Sequence, residues 1–250
     1  MTLTIFFNEL KRYFYSPVAY VISAVFSITV GWMFFNSIIQ YIAQIQAIGP
    51  GGEGQISFDN IIFSLFGNVN FLLLFIIPLL TMGLISTEKK YKSIFVLYSA
   101  PIDDWEIILG KYFAAVFVAL FMICLTFIFP VILHFAGLSD KSFFFSGYLA
   151  LFFNILLYTS LGVLGSCLSE NQMVSGLISF AMIMATWMLS WVTQITANYY
   201  FVELFHYIGL SLHFESVAKG ILNYSDLAYY FSGTFFALLV SRKILNARNW

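Results

Sequence analysis

The sequence predicts an all-α polytopic membrane protein with six transmembrane helices, and three observations carry that expectation. Hydrophobic residues make up 61% of the 250, with a mean hydropathy of +0.90, far above the roughly 45–50% apolar usage of soluble domains. Six apolar runs recur along the chain, and each helical crossing requires about 20 such residues. Asp, Glu, Lys and Arg amount to only 9% of the residues and gather between those runs. The length suits one bundle, with residues 1–250 as a single transmembrane domain, and leaves no room for a soluble catalytic domain.

Residues 1–16 place Leu3, Phe6, Phe7, Leu10 and Phe14 at helical spacing, with Asn8, Glu9, Lys11 and Arg12 on the other side. The pattern suits an amphipathic helix lying in the membrane interface; the alternative is a cytosolic extension of the first spanning helix. Ser16-Pro17 supplies a bend, because proline disfavours helical geometry in the residue before it. The apolar run that follows is too long for a signal peptide and lacks a small-residue cleavage site, so the first helix is expected to stay in the protein.

The six spans are expected at about 18–42, 61–86, 104–135, 143–168, 172–196 and 226–240. Pro78 and Pro130 fall inside two of them and are read as kinks. Residues 49–54, a run of glycines with Pro50, cannot extend a helix and read as a flexible external loop. Ser169-Glu170-Asn171 is a tight turn whose side chains can cap the helices on either side. Residues 198–225 are too polar for a seventh span and carry Tyr199, Tyr200, Tyr207 and Tyr224; they read as an external segment of short interfacial helices in the headgroup belt.

Six crossings put both termini on one side. That sorting gathers Lys11, Arg12, Lys89, Lys90, Lys92, Lys111, Arg242, Lys243 and Arg248 on one face and leaves Lys141 and Lys219 on the other. Cationic residues are retained inside, so both termini are expected in the cytosol.

The densest charge lies in 87–112, which holds Glu88, Lys89, Lys90, Lys92, Asp103, Asp104, Glu106 and Lys111. The second span emerges there, a short apolar stretch follows at 93–98, Ser99-Ala100-Pro101 breaks the chain, and Asp103 with Glu106 reads as a capping box opening the third span. The result is a cytosolic coupling loop at 87–103, a short helix with a rigid turn. Ile94, Phe95, Leu97 and Tyr98 would be exposed on so small an element unless a partner covers them. The acidic residues suit the positive end of a helix, and Lys111 is expected to snorkel its ammonium back to the boundary. The same charges are also read simply as anchors that fix topology.

Chemistry of other kinds finds little support. Gly110-Lys111 lacks the preceding glycine and following hydroxyl of a phosphate-binding loop, so the chain is not expected to hydrolyse ATP or to be an enzyme. Apart from Lys111 and His134 near the ends of the third span, and Asp104, Glu106 and Asp226 in the first turns of the third and sixth, the spans are free of ionisable Asp, Glu, Lys, Arg and His, which argues against ion coupling. His134, His206, His213 and Glu215 match no His-Glu-x-x-His spacing, and external histidines of this kind are expected to be solvated. Cys124 and Cys167 lack the spacing of a redox or zinc site and read as small hydrophobes. Asn36, Gln40, Asn68 and Asn154 either line a path or link helices.

Several stretches resemble the ABC-2 class of transporter permeases, and within it the gliding-motility-associated permease subunits. They are Phe7-Asn8-Glu9-Leu10-Lys11-Arg12-Tyr13-Phe14 with Ser16-Pro17-Val18-Ala19-Tyr20-Val21, the run from Phe75 through Pro78 to Met82, Pro101-Ile102-Asp103-Asp104-Trp105-Glu106 continuing to Gly110-Lys111, Ser169-Glu170-Asn171-Gln172, His213-Phe214-Glu215-Ser216, and Lys219-Gly220. The resemblance implies a permease, an exporter, in the bacterial inner membrane. Its implied partners are an ATP-binding cassette subunit, a second permease domain and the lipid bilayer, with no nucleic acid. ATP would be bound by the partner, and this chain would hold no cofactor or metal. Contact with the ATPase is implied for Glu9, Arg12, Glu88, Lys89, Pro101, Asp103, Asp104, Glu106 and Lys111. One departure is Ser93-Ile94-Phe95-Val96, where relatives carry a Gly-Thr-Ile/Leu-Glu run. An autonomous carrier or channel, and a membrane scaffold that transports nothing, are the competing expectations.

Overall fold

A computed structural model describes residues 1–48, 59–93, 102–135, 141–195 and 207–247. The expected glycine-rich loop at 49–54, the apolar stretch at 94–98, the Ser99-Ala100-Pro101 break and residues 198–206 lie outside the described residues. Within them the chain is all-helical, in the order α1 (Thr2–Tyr15), α2 (Pro17–Ile48), α3 (Asp59–Thr81), α4 (Ser86–Lys90), α5 (Asp104–Leu125), α6 (Ile128–Phe135), α7 (Lys141–Leu168), α8 (Gln172–Ile195), α9 (Leu210–Ala218) and α10 (Tyr224–Ala247).

Five stretches are long and apolar enough to cross a membrane: Pro17–Gln46, Ile62–Lys90, Asp104–Leu133, Phe144–Leu168 and Gln172–Ser190. The sixth expected crossing lies within α10, which is less apolar because Asp226, Arg242 and several hydroxyl residues interrupt it. Its length, 24 residues, corresponds to about 36 Å of helix. It also runs beside α7 in the same direction, Phe153 stacking on Tyr230 at 5.5 Å and Leu157 lying against Gly233. α10 therefore traverses the depth that α7 traverses.

Burial identifies the centre. In the most apolar window of α7, 78% of residues are buried, against 17% for α2 and 22% for α8. α7 is thus the axis on which α3, α5, α8, α9 and α10 pack, while α2 and α8 leave broad apolar faces such as Val21, Val25, Ile28, Trp32 and Phe35 uncovered. The Met1 amine lies 3.2 Å from Glu106, and Arg242 sits over the Trp105 ring at 5.3 Å. These contacts bring the start of α1 and the end of α10 to one end of the bundle, the near end; α9 lies at the far end.

Two expected spans are broken, and proline accounts for one of them. The third expected span is divided at Thr126-Phe127, one turn before Pro130, which has no N–H for the Thr126 carbonyl. That carbonyl takes Phe129 N instead, at 3.1 Å. The second runs helically through Pro78 to Thr81 and leaves helical geometry over 82–85; the carbonyl that Pro78 cannot serve is that of Leu74, one turn before it, so this break lies on the other side of the proline. The turn before α8 forms as expected: Asn171 Oδ1 accepts Met173 N at 3.0 Å, and Ser169 Oγ accepts Asn171 N at 3.1 Å.

Within the bundle, fully buried Asn154 of α7 donates to Asn70 Oδ1 of α3 at 2.7 Å. Linking helices is therefore its role, whereas Asn36 bonds its own helix at Trp32 O. Replacing Asn154 with leucine leaves Asn70 unpaired in an apolar core, and the expected loss of thermal stability corresponds to about 1 kcal/mol, the scale of interhelical hydrogen bonds in membranes. The double replacement Asn70→Leu/Asn154→Leu should recover most of it; equal melting of the single and double variants in detergent would argue against the link.

Candidate functional site

The charged residues of the sequence converge at the near end, where α1 lies along α5. Gly110 permits the approach: a Cβ there would sit 2.9 Å from the Ile5 side chain and 3.1 Å from Thr2 O. Phe6 meets Phe117 and Phe14 meets Phe121 edge to face. This register sets Glu9 of α1 directly on Lys111 of α5.

Lys111 is the centre of the site. Its side chain is 1% exposed, and Nζ lies 2.5 Å from Glu9 Oε1, 2.6 Å from Glu88 Oε1 and 2.9 Å from the Leu84 carbonyl. All three ammonium protons find acceptors, from α1, from α4 and from the turn before α4. The expected snorkelling of Lys111 is thus overturned: α1 closes over it, so its charge is met by protein instead of water. Glu9, expected on the polar side of α1, is likewise buried and faces inward. Arg12 Nη1 stands 3.7 Å from the second Glu9 oxygen, which gives two cations against two carboxylates.

The same cluster completes the broken backbone of the second span. Buried backbone groups have to be paired; here Leu84 N turns to Thr81 O at 3.1 Å, and several of the other groups go to side chains. Ser166 Oγ of α7 accepts Ile85 N at 2.9 Å and Ser86 N at 3.2 Å while donating to Met82 O at 3.3 Å, the full capacity of a hydroxyl. Lys111 takes Leu84 O. Tyr13 donates to Leu80 O at 2.7 Å; burial first, and then the Glu9 carboxylate, push its phenol above the usual range, so it keeps that proton. Thr87 Oγ1 bonds Gly83 O and receives Arg12 at 3.1 Å. Beside this a cavity of about 170 Å³, lined by Glu9, Arg12, Tyr13, Gly83 and Gln172, has room for water at the edge of the cluster.

Of the residues singled out from the sequence, Glu9, Arg12, Glu88 and Lys111 come together. Lys89 turns away and donates to Cys167 O at the end of α7, at 2.5 Å. Asp103 occupies the N-cap of α5 but makes no side-chain cap bond. The expected capping box is therefore corrected: Glu106 reaches the Met1 amine instead of the Asp103 backbone. Asp104 and Glu106 lie in the first turn of α5, and Pro101 lies outside the described residues. Tyr13, Thr87 and Ser166 were not foreseen. The only sign of Ser166 was its place in the small-residue run Gly165-Ser166-Cys167, which marks close packing without naming a partner.

A second polar cluster lies at the far end. His213, expected to be solvated, is buried and bonded to Asp226 at 2.6 Å. Its other ring nitrogen faces Tyr207 O at 3.1 Å, and Ser216 bonds the aspartate instead of the imidazole, so no base is offered to a nucleophile. Glu215 pairs with Lys219 at the surface, His206 lies outside the described residues, and no metal-binding group of His, Cys, Asp and Glu occurs among the described residues.

Residues 3–227 match a protein-family model described as ABC-2 family transporter protein. No curated protein matches the chain. The match begins in α1 and extends through both polar clusters.

Lys111→Met would leave Glu9 and Glu88 facing each other without the ammonium. Removing one partner of a buried ion pair costs about 3–5 kcal/mol, and a loss on that scale is expected in the unfolding of the purified protein. Neutralising all three, as Glu9→Gln/Glu88→Gln/Lys111→Met, should restore most of the stability. A single variant as stable as the parent would show that the ammonium is not held as described.

Proposed function

The chain belongs to the ABC-2 family of transporter proteins, and on that premise we propose that it is the membrane-spanning permease subunit of an ABC transporter, driven by a separate subunit that binds and hydrolyses ATP. The observation that carries this reading is the buried Lys111, which ties three separate elements, α1, α4 and α5, into one block at the near end. Such a block can transmit a displacement applied at the surface, because packed and ion-paired elements move as units instead of deforming continuously.

The near end is cytosolic in this reading, as the collection of Lys and Arg supports, and both termini lie there, in the inner membrane of a bacterium. α1 rests in the membrane interface: Leu3 and Phe7 are exposed, and lipid is the surrounding that suits them. The ATPase engages α4, Pro101 and Asp103, with Asp104 and Glu106 offering carboxylates at the start of α5. When the ATPase closes, α4 moves with α1 and the start of α5, and the break at 82–85 lets this unit tilt against the membrane part of the second span. The uncovered faces of α2 and α8 accommodate lipid and a second permease domain. Movement of substrate is outward, in service of surface export or a gliding machine, as the sequence resemblance suggests.

Purification of the native protein is expected to bring a nucleotide-binding subunit with it. Asp104→Lys/Glu106→Lys should reduce that association about tenfold or more, since like charge opposing a charged interface costs several kcal/mol, while leaving the bundle folded. Capture without any ATPase, together with uphill transport by the isolated chain in liposomes, would sink the reading in favour of an autonomous carrier. Association that persists without substrate-dependent ATP turnover would instead point to a scaffold.

A further inference from the structure

The flank formed by α1, α5, α6 and α7 is hollowed by two cavities that the proposed coupling does not use. The near-end cavity, about 570 Å³, is lined by Leu3 and Phe6 of α1, Phe113, Phe117 and Leu120 of α5, and Leu156 of α7. The far-end cavity, about 600 Å³, is lined by Phe127 and Val131 around the start of α6 and by Phe145, Tyr148 and Phe152 of α7. Phe152 belongs to both. At 37% exposure, between buried Leu151 and Phe153, it stands as a ridge that divides one hollow from the other. The walls are fastened on either side of that ridge: Tyr112 donates to Leu156 O at 3.1 Å, and the Tyr148 hydroxyl meets Thr126 Oγ1 at 3.2 Å.

Depth and chemistry select the occupant. From Leu109 to Leu120 the near-end wall rises about 16 Å along α5, and from Phe144 to Phe152 the far-end wall rises about 12 Å along α7. Each is close to half of the roughly 30 Å hydrocarbon core of a bilayer, so the ridge at Phe152 stands near mid-depth. No charged side chain lines either cavity, and both are continuous with the surface that α5, one of the crossing helices, turns outward at Phe113, Phe117 and Phe121. An unfilled wall forfeits its dispersion contacts. A helix from a partner or a second copy would need one furrow through the full depth, but this one is interrupted at Phe152 and closed at its near mouth by α1, which Gly110 lets lie tightly on α5. A hydrocarbon chain ends inside the membrane and meets neither obstacle.

We propose that the two cavities are binding sites for the acyl chains of phospholipids, one site in each leaflet, with their ends meeting at Phe152. The near-end chain lies against Leu3 and Phe6 and so supports α1 from the membrane side. The far-end chain fills the hollow opened by the helix break at Thr126-Phe127. The inference does not rest on the ATPase-driven reading, because it concerns what the bilayer supplies to the fold.

The test uses the whole protein in nanodiscs of phosphatidylcholine whose acyl chain carries a photoactivatable diazirine. Irradiation followed by peptide mapping is expected to label 113–120 and 144–152 several-fold more densely than the exposed Phe231 and Phe236 of α10, which line neither cavity. After transfer to detergent, native mass spectrometry should find two phospholipids retained per chain. Leu120→Trp, which fills the near-end cavity, should lose one of them together with the label on 113–120 alone; Leu149→Trp should lose the other, with the label on 144–152 alone. Each variant thus keeps one site as a check on its fold, and where a variant fails to fold the labelling of the parent chain decides. Label on the two cavities no denser than on α10 overturns the proposal. So does a disulfide-linked dimer of Phe117→Cys formed on oxidation in place of lipid labelling, which would make a second copy the occupant.

Discussion

An ammonium taken out of water must meet opposite charge and enough oxygen atoms to use its protons, and the near end of this bundle is organised around that requirement at Lys111. A buried ion pair gives little net stability by itself, because desolvation offsets the attraction. Its effect is to fix geometry. Glu9 reaches the ammonium from α1, and Glu88 with the Leu84 carbonyl reaches it from α4 and the turn before it, so displacing either side exposes the charge of the other. α1, α4 and α5 are thereby made mutually dependent.

The same lysine also belongs to the break in the second span. A proline followed by a turn would ordinarily leave carbonyls and amides unpaired at a depth where water is scarce. Here Tyr13, Lys111 and Ser166, from three different helices, take up the freed groups. The bend is consequently a defined joint and not a weak point. Its polar partners sit on elements that the proposed function requires to move together or apart.

Much of the architecture was legible in the sequence, because membrane spans are written in local composition. Five crossings and the capped turn before α8 follow from hydropathy and from Ser169 and Asn171 alone. The sixth was legible in place but not in character: α10 is less apolar than the other spans, its Asp226 turned onto α9 and its Arg242 onto Trp105 of α5. Pro130 announced the break at Thr126-Phe127, which falls at the carbonyl that proline cannot serve, whereas the break at 82–85 lies beyond Pro78 and could not be read from it. What could not be read was long-range. Lys111 and Glu9 are 102 positions apart, and a lone lysine near a helix end defaults to snorkelling; only the close approach of α1 over Gly110 reverses that. His213 was assigned to solvent for the same kind of reason, since the turn at Gly220 that folds α9 inward is a tertiary fact. Glu9, Arg12, Glu88 and Lys111 were singled out as part of a charged neighbourhood, but their pairing was not read.

Ser166 illustrates how little chemistry such a joint needs and how narrowly it is specified. A hydroxyl has one proton and two lone pairs, and all three are committed to the backbone of a neighbouring helix. Alanine would orphan two amides, and any larger donor would have to displace the strand of backbone it serves. Evolution can vary the surrounding aliphatic surface freely, provided volume is kept, yet this one small side chain has almost no synonyms. Tolerance to substitution in this protein should accordingly follow the count of orphaned main-chain atoms more closely than depth in the lipid.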